Sequence, residues 1–166
     1  MGSMAPLLHS SVSTVHLLAA LVALVVGPAA LYLPKATVAH RYVGWAYVGS
    51  MSVVLLTAFH IYALFGRFGI VHWGAVGSAA ALLLGIGAAL GRSVVPAWLR
   101  WHYVGMGASV TGLYAAFVVE STYRLFPAAY FWWSTLGPGL FVLGLGSWLL
   151  YRYYPAWVAY RPSPVA

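Results

Sequence analysis

Six histidines and a single acid, Glu120, are the residues of this 166-residue sequence best equipped for chemistry. They stand inside long apolar runs, where an ionisable group is costly and persists with a partner or a task. His40 and His102 fall near one end of the second and fourth runs. His16, His60 and His72 fall near the opposite end of the first, second and third, with His9 just ahead of the first. Glu120 lies about one and a half turns short of the end of the fourth run.

Two kinds of site answer to this pattern. In an up-down-up-down bundle of the first four runs, the first faces the third across a diagonal and the second faces the fourth. His40 and His102 then form one diagonal pair and His16 and His72 another, each offering haem b two axial imidazoles from opposite walls. Arg41 and Arg100, near the first pair, would hold propionates. The other kind of site is compact. His16, His60, His72 and Glu120 sit at similar depth, and three imidazoles with a carboxylate suit zinc, or a non-haem iron or copper centre. Glu120 would be a ligand, a catalytic group, or an acceptor for the second nitrogen of a ligating ring.

A plainer reading stands beside both. Histidines near helix ends serve as interfacial polar groups, and Glu120 pairs with Arg124 four residues on. The sequence holds no HExxH, no Cys-x-x-Cys-His and no phosphate-binding loop to choose among the three. It has no cysteine, which excludes disulfides, thiolate sites and iron–sulfur clusters.

The elements that must position these residues are membrane helices. Hydrophobic residues make up 63% of the chain and charged residues 5%. A water-soluble domain carries about 25% charged residues, so lipid is the solvent here. Five apolar stretches, 12–33, 38–65, 70–90, 97–126 and 130–154, are each long enough to span. Short links make consecutive helices antiparallel neighbours. The expected fold is therefore an all-α integral membrane protein, a five-helix transmembrane bundle over 12–154. A segment 1–11 precedes it, with Met1-Gly2-Ser3 an expression remnant, and a tail 155–166 follows.

Arg41-Tyr42-Val43-Gly44 parallels His102-Tyr103-Val104-Gly105, and Tyr62-Ala63-Leu64-Phe65 parallels Tyr123-Arg124-Leu125-Phe126. This suggests a four-helix core built by a parallel internal repeat, with the fifth helix added. Small residues crowd the third and fifth helices, among them Gly74, Gly77, Gly85 and Gly87, then Gly137, Gly139, Gly144 and Gly146, as close helix packing requires. The net charge of +7 comes from basic residues scattered singly between apolar runs, with no stripe for nucleic acid.

Several of these residues together resemble a bacterial family. They are His16, Gly27-Pro28, His40-Arg41 with Gly44 and Tyr47, Trp101-His102 with Met106, and Arg124 before Pro127. Over roughly 12–127 the chain is similar to the membrane proteins grouped as domain of unknown function 2306. The resemblance implies a helical membrane bundle and draws attention to His16, His40, Arg41, His102 and Arg124. It implies no settled activity, and His60, His72 and Glu120 depart from its pattern.

The reading that emerges is a small haem b or metal-binding redox protein of a bacterial plasma membrane. It would exchange electrons with a quinone in the bilayer and a redox protein outside. The alternatives are a membrane enzyme with a His/Glu metal site and an accessory subunit of a larger complex. Topology follows from the basic residues. Lys35, Arg41, Arg92, Arg100, Arg152 and Arg161 share one side, and Arg67 and Arg124 the other, which places the N-terminus outside. Single cysteines at Ser3 and Ser163 should react with an impermeant thiol reagent from outside and from inside respectively. The reverse labelling pattern would invert the topology.

Overall fold

A helix needs about 20 residues, at a rise of 1.5 Å each, to cover roughly 30 Å of hydrocarbon. The computed structural model of the chain describes residues 10–61 and 67–158 and contains five α-helices that answer to this. They are α1 (Ser11–Tyr32), α2 (Val38–Ala58), α3 (Ile70–Leu90), α4 (Trp98–Thr122) and α5 (Phe131–Val158). Two single-turn 3-10 segments, Tyr123–Leu125 and Ala128–Tyr130, join the last two. No strand occurs among the described residues.

Four of the five, α1, α3, α4 with its 3-10 extension, and α5, are long and apolar enough to cross a membrane. The exception is α2. Its 21 residues give it the length, but His40, Arg41, Tyr42, Trp45 and Tyr47 lower the hydropathy of its first turns. The helix also stops at Ala58, short of the expected 65. At the other end of the chain the expected stop at Tyr154 is overrun, and α5 continues through Pro155. A proline removes one intrahelical donor, and a helix in lipid keeps its remaining bonds.

Antiparallel hairpins α1–α2 and α3–α4 supply most of the packing. Smaller contacts of α2 with α3 and of α1 with α4 close a ring, and α5 lies outside it against α4. As the up-down-up-down reading requires, α2 and α4 face each other across a diagonal. Their facing residues are 62 apart, His40 opposite His102 and Tyr47 opposite Ser109. The matched tetrads beginning at Arg41 and His102 are 61 apart, one residue out of this register. Tyr62-Ala63-Leu64-Phe65 lies outside the described residues, as does His9. Below the facing histidines the interior is apolar, built on Met51, Val54, Leu113 and Ala23.

Two helices carry prolines within their spans, and the losses at Pro28 and Pro138 are made good by α4. Pro28 in α1 has no N–H for the carbonyl of Leu24, four residues back. The Tyr114 hydroxyl donates to that oxygen at 2.8 Å. Pro138 in α5 does the same to Ser134, and Thr122 Oγ1 makes its shortest contact, 2.6 Å, with the Ser134 oxygen. Tyr114→Phe should therefore lower stability by about 1 kcal/mol in a denaturation titration. In a Pro28→Ala background, where the helix regains its own donor, the same change should cost little. Equal costs in both backgrounds would show that Tyr114 does not act through the Leu24 carbonyl.

Candidate functional site

The last carbonyls of a helix lack intrahelical partners and need donors from elsewhere. At the C-terminal end of α1 those donors assemble a site. The link from Leu33 to Thr37 turns through Ala36 in the left-handed region, φ 63°. It brings Lys35 back over the helix end, where Nζ donates to the carbonyls of Ala30, Leu31 and Leu33 at 2.8, 2.7 and 3.0 Å. Burial pushes the Lys35 ammonium down to about 8. Thr37 then caps α2, its Oγ1 accepting the His40 N–H at 3.1 Å. That cap sets His40 in the first turn of α2, and its ring reaches back to donate from Nδ1 to Ala30 O at 3.0 Å.

Across the diagonal, His102 Nδ1 donates to Gly85 O of α3 at 2.9 Å. This bond depends on a close crossing. A Cβ added to Gly105 would run into the backbone of Gly85, so the two glycines let α3 and α4 approach until the carbonyl is within reach of the ring. Carbonyl oxygens only accept. Both rings therefore hold their proton on Nδ1 and keep the Nε2 lone pair for something else. Ring centres lie 6.4 Å apart with planes at 86°.

A cavity of about 110 Å³ lies beside the two rings. From α2 it is lined by His40, Gly44 and Tyr47, and from α4 by His102, Met106 and Val110. Leu99 and Tyr103 of α4, Gly27, Ala30 and Leu31 of α1, and Lys35 complete it. The spacings, four and three residues along His40, Gly44 and Tyr47 and four and four along His102, Met106 and Val110, are those of one helix face on each side. Its floor is a hydrogen bond between Tyr47 Oη and Ser109 Oγ, 2.8 Å long and fully buried. Gly27 gives the Tyr47 ring its place, since a Cβ there would stand 3.0 Å from it.

The other expected ligands are each held elsewhere. His16 Nδ1 lies 2.8 Å from Thr57 Oγ1, and the Thr57 proton goes to Val53 O, so the ring donates. His60 is exposed and donates from Nδ1 to Leu56 O at 3.0 Å. His72 is 2% exposed and has the opposite tautomer, because its Nδ1 accepts the Gly69 N–H at 3.1 Å. It lies stacked on Phe68, ring centres 4.8 Å apart. Glu120 pairs with Arg124 at 3.3 Å, four residues on, as in the plainer reading. Among the described residues no three of His, Asp and Glu converge as metal ligands, so His16, His60, His72 and Glu120 do not assemble into the compact site. The diagonal pair of His16 and His72 is likewise not arranged like His40 and His102, since His72 offers a proton at Nε2 in place of a lone pair.

The cations also differ from expectation. Arg41 and Arg100 are exposed and do not line the cavity, and the Arg100 guanidinium lies 5.8 Å from the Trp101 ring centre and 6.0 Å from that of Tyr154. Lys35 takes the place expected for them. Lys35 and Ser109 escape a reading based on histidines alone. The signal for Ser109 was the register itself, since it stands seven residues after His102 as Tyr47 does after His40.

Compared with models of known protein families, with curated proteins and with solved structures, the chain has no match. The site is therefore judged on its own geometry. Two neutral imidazoles face one small enclosed volume from opposite walls, each fixed by a backbone carbonyl. That is how proteins orient histidines toward a metal. Gly105→Ala should force α3 and α4 apart and cost about 1–3 kcal/mol by thermal denaturation. Gly74→Ala, where an added Cβ meets nothing within 4 Å, should be neutral or slightly stabilising. Equal effects at the two positions would remove the crossing from the argument.

Proposed function

We propose that this chain is a small multi-pass membrane protein that binds a transition metal through His40 and His102 and moves single electrons through it. The observation that carries the reading is the shared tautomer of two facing imidazoles, each held by a carbonyl of the neighbouring helix. Ligation in line by two imidazoles separates the ring centres by roughly 6 Å, given a metal–nitrogen bond of about 2 Å. The 6.4 Å between these rings is compatible with it.

Haem b fits less well. Pockets for ligands of drug size occupy about 300–1,000 Å³. The 110 Å³ here is small for a macrocycle, and Lys35, the cation that lines it in place of Arg41 and Arg100, is already bonded to three carbonyls of α1. A single ion fits the space as it is. The protein's own contribution would be to hold both rings in one tautomer and to keep the centre dry on the side of the Tyr47–Ser109 bond. A quinone in the bilayer is the proposed electron partner; the redox protein expected outside would face the end of the bundle away from this centre, so a protein partner would dock at the Lys35 end instead. The six-to-two distribution of basic residues supports a bacterial plasma membrane orientation with the Lys35 end in the cytoplasm.

Metal analysis and a visible spectrum of the purified protein and five single variants test this. His40→Ala and His102→Ala should each lose most of the bound metal. His16→Ala, His60→Ala and His72→Ala should retain it while remaining monodisperse in detergent. Wild-type metal content in both His40→Ala and His102→Ala would overturn the assignment. A Soret band in the wild type would replace the ion with haem b.

A further inference from the structure

The lining of the cavity contains a third donor beside the two rings. Met106 follows His102 by four residues on α4, which puts both on one face of that helix, and both line the cavity with His40. Its side chain is largely buried at 9% exposure. Its sulfur packs at the α3–α4 crossing, 2.8 Å from where a Cβ on Gly85 would stand, and rotation about the flexible side-chain bonds is what would turn it toward the cavity. Gly85 is also the residue whose carbonyl fixes the His102 ring. One glycine thus makes room for the thioether and orients the imidazole beside it.

Three properties of this lining select among metals. The ligand set is two imidazoles and a thioether, and thioether sulfur favours soft ions, copper(I) above all. No carboxylate lines the cavity, so hard oxygen-seeking ions such as magnesium and calcium find no ligand there. Finally, every ligand is neutral and the ammonium of Lys35 lines the same space. The oxidised, doubly charged ion would meet that charge without an anion to offset it, in surroundings of low dielectric constant, so the site favours the reduced, singly charged state of the couple. A singly charged ion suffers half the repulsion. Zinc in addition wants four ligands in a tetrahedron, one more than the three protein donors here.

We propose that His40, His102 and Met106 form a copper(I) site of two imidazole nitrogens and one thioether sulfur. This rests on the assignment of His40 and His102 as ligands and adds to it the sulfur, the metal and its oxidation state. Met106 is the decisive residue, because without it the pair alone has no preference for a soft ion.

The test is copper(I) binding to the full chain in detergent under a reducing atmosphere, measured by competition with a chromophoric chelator, and zinc(II) binding measured in parallel. Met106→Leu conserves volume and should leave the bundle folded. It should weaken copper(I) about tenfold or more and leave any zinc(II) binding unchanged, while His40→Ala should remove both. X-ray absorption of the copper-loaded wild type should show one sulfur neighbour, a readout that needs no variant to fold. Undiminished copper(I) affinity in Met106→Leu, or a wild-type spectrum without sulfur, would overturn the sulfur assignment while leaving the histidine ligands standing. Zinc(II) bound in preference to copper(I) would overturn the choice of metal alone. A wild type that binds neither ion would defeat this proposal and the underlying histidine reading together.

Discussion

Lipid offers a backbone carbonyl no hydrogen-bond donor, so any carbonyl a helix leaves unsatisfied must be served by another part of the chain. This constraint organises the protein. The C-terminal carbonyls of α1 take Lys35 and His40. The carbonyls stripped by Pro28 and Pro138 take hydroxyls of Tyr114 and Thr122. Gly85 O and Leu150 O, already inside helices, accept further bonds from His102 and Tyr103. Four of these six donor residues lie on α4. Its place as the hub is therefore electrostatic as well as steric, and α1, α3 and α5 are all tied to it by side-chain donors.

The same bonds make the candidate site. A histidine whose Nδ1 serves a carbonyl has been given a fixed ring plane, a fixed tautomer and a directed lone pair. His40 and His102 are thus structural donors and candidate ligands through one contact each. His16 and His60 also donate from Nδ1, to Thr57 and Leu56, neighbouring residues at the other end of α2, and neither lines the cavity. What sets His40 and His102 apart from the other histidines is that both line one cavity.

Much of this was legible in the sequence. The apolar runs gave the five helices and their order, and the short links gave the ring in which α2 faces α4. The diagonal meeting of His40 and His102 followed from that ring alone. What hydropathy cannot supply is helix rotation. The outer cluster of His16, His60, His72 and Glu120 was drawn from depth, and rotation sends those side chains to Thr57, Leu56, Phe68 and Arg124. The cation was misassigned for a related reason. Arg41 and Arg100 are close to the histidines along the chain, whereas Lys35 arrives by a turn through Ala36 that residue type gives little hint of. Half-visible too was the packing role of glycine. Gly85, Gly105 and Gly146 mark close approaches, while Gly74, Gly77 and Gly144 meet nothing within 4 Å.

From the Tyr47–Ser109 floor of the cavity to the His16–Thr57 bond at the far end α2 advances by ten residues, about 15 Å of helix. Met51, Val54, Leu113 and Ala23 fill that interval. The bundle is thus a cup and not a conduit. The core of this interval is apolar, and the hydroxyls beside it, Ser50, Ser52 and Tyr114, each donate to a backbone carbonyl, so they form no continuous chain from one end to the other.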